Sequence, residues 1–294
     1  MRRLVVVLCL LSASPARAQD VPDGINVNPW VALAITGVAI GGTIALTQIP
    51  VPYDDTVVRP VSEMLGFDLA VRGRISSHAS SISNATLIGA LTLPMIAHIS
   101  LGTDGAGDSM LTYAEVLSST ILFNTAVKRL ARRARPYTFN EEVLARRRGE
   151  DNFLSFYSGH SAASFAAATT AGMTFAMRTE VIETRALVWA AGLSLASATA
   201  VFRVRAGSHY PTDVLIGALA GILVGGFFPL INYTGQDGHL PQPEEIGAMG
   251  AGLLGGALIA YFWPLADWPP VKVIPVATGG AAAVLSLDEL PIFQ

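Results

Sequence analysis

Six apolar stretches, each about 17 to 21 residues long, divide the sequence at short polar breaks, and a seventh can be drawn near the C-terminus. They run from roughly Pro29 to Ile49, Ser80 to Leu101, Met110 to Val127, His160 to Met177, Ala186 to Phe202 and Asp213 to Tyr233, with the candidate seventh between Ile246 and Trp263. A helix of that length is what the hydrocarbon core of a bilayer requires. Only 14% of the 294 residues are charged, against about 25% in ordinary soluble domains, and mean hydropathy is +0.48. The expected fold is therefore all-α, a polytopic transmembrane helical bundle of about six helices and a possible seventh. Buried helices of a soluble protein are the weaker alternative. Small residues recur four apart at Gly37/Gly41, Gly217/Gly221/Gly225 and Gly252/Gly256, a spacing that lets helix backbones approach closely within a membrane.

The ends read differently. Met1 to Ala18 has a basic start, an apolar stretch from Leu4 to Leu11 and an Ala16-Arg17-Ala18 finish, the pattern of a cleaved secretory signal. The one cysteine, Cys9, lies inside it, so a chain beginning at Gln19 has no disulfide or thiol chemistry. Residues 29–263 are expected to form the membrane domain and 264–294 a Pro- and Gly-rich tail. In that tail Val271 to Thr278 and Ala283 to Leu287 flank Gly279-Gly280, which suits a small hairpin. The net charge of −3 favours no partner, and no nucleic-acid recognition module is visible.

Three polar pieces sit at the ends of the apolar stretches. The first is Lys128-Arg-Leu-Ala-Arg-Arg-Ala-Arg135-Pro136. On a continuous helix Lys128 and Arg135, seven apart, share a face, and Pro136 should end the helix or turn the chain. Lys brings a compact charge and Arg a planar fork suited to two phosphate oxygens. A basic collar beside a membrane helix explains the segment equally well. The second is Ser158-Gly159-His160, just before a run of Ala, Ser, Thr and Phe. A helix starting there offers free N–H groups and a positive dipole end to an anion, although taken alone the tripeptide reads as an N-cap. The third is Arg203-Val-Arg-Ala-Gly-Ser-His209-Tyr-Pro-Thr-Asp213. With Pro211 in the first turn of a helix, the Asp213 carboxylate can fold back to the His209 imidazole. That would fix its tautomer and leave one nitrogen free to attack an electrophile.

Together, Lys128-x6-Arg135-Pro136, Ser158-Gly159-His160 and Arg203-x5-His209-x3-Asp213 resemble the three-part signature of the type-2 phosphatidate phosphatase and vanadium haloperoxidase superfamily. The resemblance covers about residues 110–235. Two positions depart from it: Tyr157 stands where the family usually has Pro, and Phe202 where it usually has Ser. The resemblance implies a membrane-bound phosphatase acting on a lipid phosphate or pyrophosphate, with the active site at helix ends. His209 would form a phosphohistidine, oriented by Asp213. Lys128, Arg135, Arg203, Ser158 and Gly159 would hold the phosphate oxygens, and His160 would protonate the leaving alcohol and then activate water. No metal or other cofactor is expected, because three fixed cations can do the work metal ions do elsewhere.

Two alternatives stand beside this reading, a vanadate-dependent haloperoxidase and a catalytically silent membrane protein that binds an anionic lipid. The other ionisable residues receive plain expectations. His78, His98 and His239 are structural or exposed. Arg146, Arg147 and Arg148, with Glu141, Glu142, Glu150 and Asp151, form a solvated loop, or with Arg72 and Arg74 a rim attracting anionic headgroups. A bacterial-type inner membrane is the expected location. The membrane face is a conflict: a cleaved signal and the positive-inside count put Lys128 in the cytoplasm, whereas most of the family work on the extracytoplasmic face, which is the expectation adopted.

Overall fold

In the computed structural model the described residues are 24–52, 66–100, 105–147, 149–234, 241–264, 272–275 and 281–284. The leader 1–18 with Cys9, His239 and Arg148 lie outside them. Among the described residues eight α-helices form: α1 Pro29–Thr47, α2 Ser77–Ser100, α3 Ala106–Ala131, the short α4 Glu141–Arg146, α5 Gly159–Ala176, α6 Ile182–Arg205, α7 Pro211–Ile231 and α8 Pro243–Phe262. The seven long ones match the apolar stretches, the candidate seventh included. The tail carries a two-stranded antiparallel hairpin, β1 Lys272–Pro275 with β2 Ala281–Val284.

Local chemistry sets the helix starts. Asn28 caps α1, its side chain accepting from the N–H groups of Trp30 and Val31, with Pro29 in the first turn. α7 and α8 likewise begin at Pro211 and Pro243. Five helices, α1, α2, α6, α7 and α8, are long and apolar enough to cross a membrane. Large apolar side chains stay exposed along them, among them Val38, Leu219, Leu223 and Leu258. On a soluble protein such a surface would be a liability, whereas facing lipid it is the expected one. The chain is a multi-pass membrane protein.

α3 and α5 are not among these five, and α5 lies inside. α5 is buried almost throughout, packed against α2, α3, α6 and α7. Its hydroxyls are satisfied by backbone carbonyls: Thr170 Oγ1 donates to Ala166 O and across to Gly225 O, and Ser161 Oγ donates to Val214 O.

The glycine stripes divide into two kinds. A Cβ on Gly217 would meet Ser158 O at 2.6 Å, and Cβ atoms on Gly221 and Gly225 would collide with the Ala162 and Ala166 carbonyls. On Gly252 a Cβ would meet Ala190 O at 2.5 Å, and on Gly256 it would collide with Ser194 O. These stripes bring α7 onto α5 and α8 onto α6 at backbone distance. The Gly37/Gly41 pair corrects the expectation for α1, because nothing lies within 4 Å of a Cβ there.

End-to-end contacts fix the helix directions. Val27 N–H donates to Asp108 at the starts of α1 and α3, and Arg129 near the end of α3 donates to Thr47 O and Ile49 O at the end of α1. Arg185 and Glu245 pair at the starts of α6 and α8, at 2.7 and 3.2 Å, and Arg205 donates to Ala260 O and Trp263 O at their ends. Asn84 and His98 of α2 meet His160 and Thr174 of α5 in the same order. Thus α1, α3, α6 and α8 run toward one end of the bundle, and α2, α5 and α7 run away from it.

Glycine spacing alone does not predict packing here, and that difference is testable. Gly221→Ala should lower the detergent-solubilised melting temperature by roughly 3–10 °C, since overpacking costs about 1–3 kcal/mol. Gly37→Ala should leave it unchanged or slightly raised.

Candidate active site

The end toward which α3 and α6 run, and from which α5 and α7 start, collects all three polar pieces. Ser158 is the N-cap of α5, fully buried, its side chain accepting from Ser161 N–H at 3.4 Å. Its own N–H donates to Asp213 O at 3.0 Å, which ties the start of α5 to the start of α7. Gly159 sits in a crowded place: a Cβ would lie 2.7 Å from Asn124 Oδ1 and would have to displace that amide. Asn124, on α3, donates through Nδ2 to Tyr157 O at 2.7 Å and so pins the turn before the helix. Tyr157 is itself buried, and the Phe156–Tyr157 peptide is cis. Phe202, the other departure from the family pattern, packs in an apolar cluster with Ala79, Ala198, Ala206 and Ala260 and makes no part of the polar site.

Behind the site lies a buried charge network. Asp213 accepts from Arg133 Nη1 at 2.5 Å, Ser155 Oγ at 2.5 Å and Tyr210 N–H at 3.0 Å. Arg133 also donates to Asp68 Oδ2 at 2.6 Å and lies over the Tyr210 ring at 4.0 Å. Asp68 in turn accepts from Thr212 N–H and Oγ1. Two buried carboxylates are thus compensated by one shared guanidinium and several N–H and O–H donors, the condition under which buried charge is tolerated. The sequence reading missed Arg133, Asp68 and Ser155. Arg133 sat in a run of five cations with nothing local to single it out, and Asp68 is 144 residues from Thr212.

The His209–Asp213 pair departs from expectation in detail. His209 Nδ1 lies 3.6 Å from Asp213 Oδ2, too far for a hydrogen bond. That oxygen is already engaged by Ser155 and Tyr210, and His209 Nδ1 is buried with no hydrogen-bond partner. His209 Nε2 faces the cations, 3.3 Å from Arg135 Nη1. The turn before it needs Gly207, which has φ +67° and packs where a Cβ would strike the Arg74 carbonyl.

The helical register expected for Lys128 and Arg135 is also corrected. α3 ends at Ala131, with Arg132 left-handed at φ 47°, and Arg135 is extended ahead of the 3-10 turn Pro136–Phe139. Arg135 is fully engaged. Nε donates to Asp151 O, Nη2 to Asp151 Oδ1 at 2.8 Å, and Nη1 to Ser208 O at 3.0 Å. Asp151 therefore belongs to the site's edge and not to a free loop, and Glu150 likewise pairs with Arg129 at 3.1 Å. Lys128 and Arg203 are less satisfied. Among the described residues the Lys128 side chain makes no hydrogen bond, and the Arg203 side chain has only Ser83 Oγ at 3.5 Å, with its Nε buried and unpartnered. His160 Nε2 lies 2.8 Å from Asn84 Oδ1.

The positive charges converge. Burial, followed by the charges of Arg135, Lys128 and Arg203, holds the His209 imidazole well below its ordinary range, so it is neutral near pH 7. The same three cations act on His160. A neutral, buried imidazole facing under-partnered cations suits an oxyanion with a reacting phosphorus or similar centre. Of the remaining histidines, His98 is buried between Thr174 Oγ1 and Arg178 Nη1, each at 2.8 Å, and His78 is exposed.

Residues 109–236 match the family model of the PAP2 superfamily, and that match supports membership of the superfamily. The matched stretch runs from α3 through α7. It includes every candidate residue from the three motifs and excludes α2 and Asp68. No curated protein and no solved structure matches the chain significantly.

A depressed histidine has a signed consequence for stability. His209 takes up a proton more readily when unfolded, with an ordinary value near 6.5, than when folded. Its contribution is therefore neutral above that pH and destabilising as pH falls below it. Melting temperature in phosphate-free buffer should fall between pH 7 and pH 5, and His209→Gln should flatten part of that slope.

Proposed function

We propose that this PAP2-superfamily member is a membrane-bound phosphatase that hydrolyses a lipid phosphate or pyrophosphate through a phosphohistidine on His209. The observation that carries the reading is His209 Nε2 facing Arg135 beside under-partnered Lys128 and Arg203, at one end of a bundle with lipid-facing helices. A soluble haloperoxidase has no use for those helices, whereas a long-chain substrate can reach the site laterally from the bilayer.

The proposed chemistry uses the chain's own groups. An arriving phosphate accepts N–H groups from Arg135, Arg203 and the start of α5, with Lys128 adding charge and the Ser158 hydroxyl a further donor. In accepting from Arg135 Nη1 it releases the lone pair on His209 Nε2. That nitrogen attacks phosphorus as the bond to the leaving oxygen breaks, and His160, which takes up a proton from solvent on Nδ1 once the anionic substrate offsets the cations, gives that proton to the leaving oxygen. The histidine now carries positive charge, which Asp213 stabilises from 3.6 Å behind. Water then attacks phosphorus, loses a proton to His160 and displaces Nε2, leaving inorganic phosphate. Positive charge fixed in a water-poor site supplies most of the stabilisation.

The extracytoplasmic face remains part of the proposal. Three helices separate Asn28 from Lys128, so an extracytoplasmic site requires Asn28 on the cytoplasmic side and a leader that is not a cleaved secretory signal. The basic residues that favoured the opposite orientation are largely engaged in structure, Arg129 with Glu150, Arg133 with Asp68 and Asp213, and Arg135 with Asp151. Their number is thus a weak guide to topology.

Purified protein tested on phosphatidate, phosphatidylglycerophosphate, polyprenyl pyrophosphate and lipid A should release phosphate from at least one, unaffected by EDTA. His209→Ala should abolish release and His160→Ala should cut it by about 10²-fold or more; an active His209→Ala would refute the mechanism. For orientation, Asn140→Cys in a Cys9→Ser background should react with an impermeant thiol reagent in intact cells. Labelling only after lysis would place the site in the cytoplasm.

A further inference from the structure

The first two turns of α2 contribute to the site although α2 lies outside the segment that matches the family. Two consecutive residues do this. Ser83 Oγ is the hydrogen-bond partner of Arg203 Nη1, and Asn84 Oδ1 lies 2.8 Å from His160 Nε2. Asn84 is an exposed amide within an apolar span, at a position where packing asks for no polar group.

We propose that Asn84 is a positioning residue for His160, holding the imidazole with its proton on Nε2 and leaving Nδ1 for proton transfer. This rests on the phosphatase reading of the site. An amide oxygen accepts from Nε2–H whether the ring is neutral or protonated, so the contact survives both halves of a reaction in which His160 gives and regains a proton. An amide N–H in the same place would oppose the protonated ring. Because the oxygen carries no charge, Asn84 fixes the tautomer without the large rise in proton affinity a carboxylate would bring. The charged or titratable groups acting on His160 are Arg203 from α6, Lys128 from α3, Arg135 from the segment after α3, and His209 from the turn before α7. With that much positive charge around it, the orientation of the ring would otherwise follow repulsion from the cations.

The test needs one readout that does not depend on turnover. The chain has five histidines, so ¹⁵N-histidine-labelled protein gives a small set of ring signals, with His160 identified by its loss in His160→Gln. Wild type should show the Nε2–H tautomer at His160, and Asn84→Ala should show a mixture. In kinetics on a cleaved substrate, Asn84→Ala should lower kcat by about 10- to 100-fold while KM changes by about threefold or less, since the group acts on proton transfer and not on binding. Asn84→Asp should restore the tautomer and most of kcat, and should move the pH limb that depends on His160 to higher pH. Because Asn84 is exposed, these variants should fold, and melting temperature checks that. An unchanged tautomer in Asn84→Ala, or an unchanged kcat and pH profile in active enzyme, would overturn the assignment. Full activity in His209→Ala would instead remove the phosphohistidine reading, while the tautomer measurement still decides whether Asn84 sets the ring.

Discussion

The site end of the bundle depends on one buried carboxylate. Asp213 receives Arg133, Ser155 and the Tyr210 N–H on its side chain and the Ser158 N–H on its backbone carbonyl. It thereby joins the start of α7, the start of α5, the loop before α5 and the segment after α3. An ionised group buried in this way is stable only with all its partners present, so the same bonds that offset its desolvation also fix the relative positions of Ser158 and His209. The nearby imidazole is therefore positioned largely by shared neighbours and not by a direct hydrogen bond from the carboxylate.

Much of this was legible in the sequence. The long apolar stretches gave the helices because their length has a single physical purpose, and Pro211 marked the start of α7. Ser158-Gly159-His160 announced a helix N-terminus, and the cap is there. What could not be read were the partners distant in sequence. Asn124 crowds residue 159, but it lies on α3, 33 residues from Tyr157. Asn84 and His160 are 76 apart and Arg133 and Asp68 65 apart, and neither Asn84 nor Asp68 lies in a recognisable motif. Register also misled. Lys128 and Arg135 suggested one helical face, yet the left-handed Arg132 ends the helix between them, a choice made by the turn that brings Arg135 to Asp151. The Gly37/Gly41 pair had the same spacing as the stripe on α7 and meets nothing, because spacing says which residues align and not what they face.

The polar stretch between α3 and α5 shows how composition can understate structure. Its charged residues suggested a solvated loop, whereas Asn140 caps α4 through Val143 N–H, Asn152 N–H, O and side chain bridge Gly149, Arg135 and Arg147, and Asp151 anchors Arg135. Among the described residues of the stretch, Glu141, Glu142 and Arg146 behave as a free surface.

The glycine seam between α7 and α5 has a consequence for how such a site can change. Because the two backbones approach closely at Gly217, Gly221 and Gly225, any larger residue there would collide with the Ser158, Ala162 or Ala166 carbonyl. The spacing between His209 and the turn at Ser158 is thereby a fixed dimension of the scaffold. The α2 side is different: its residues reach the site through side chains, and each can be lengthened, shortened or recharged without moving a helix. A chain built this way can hold the wall formed by α5 and α7 constant while the wall formed by α2 varies.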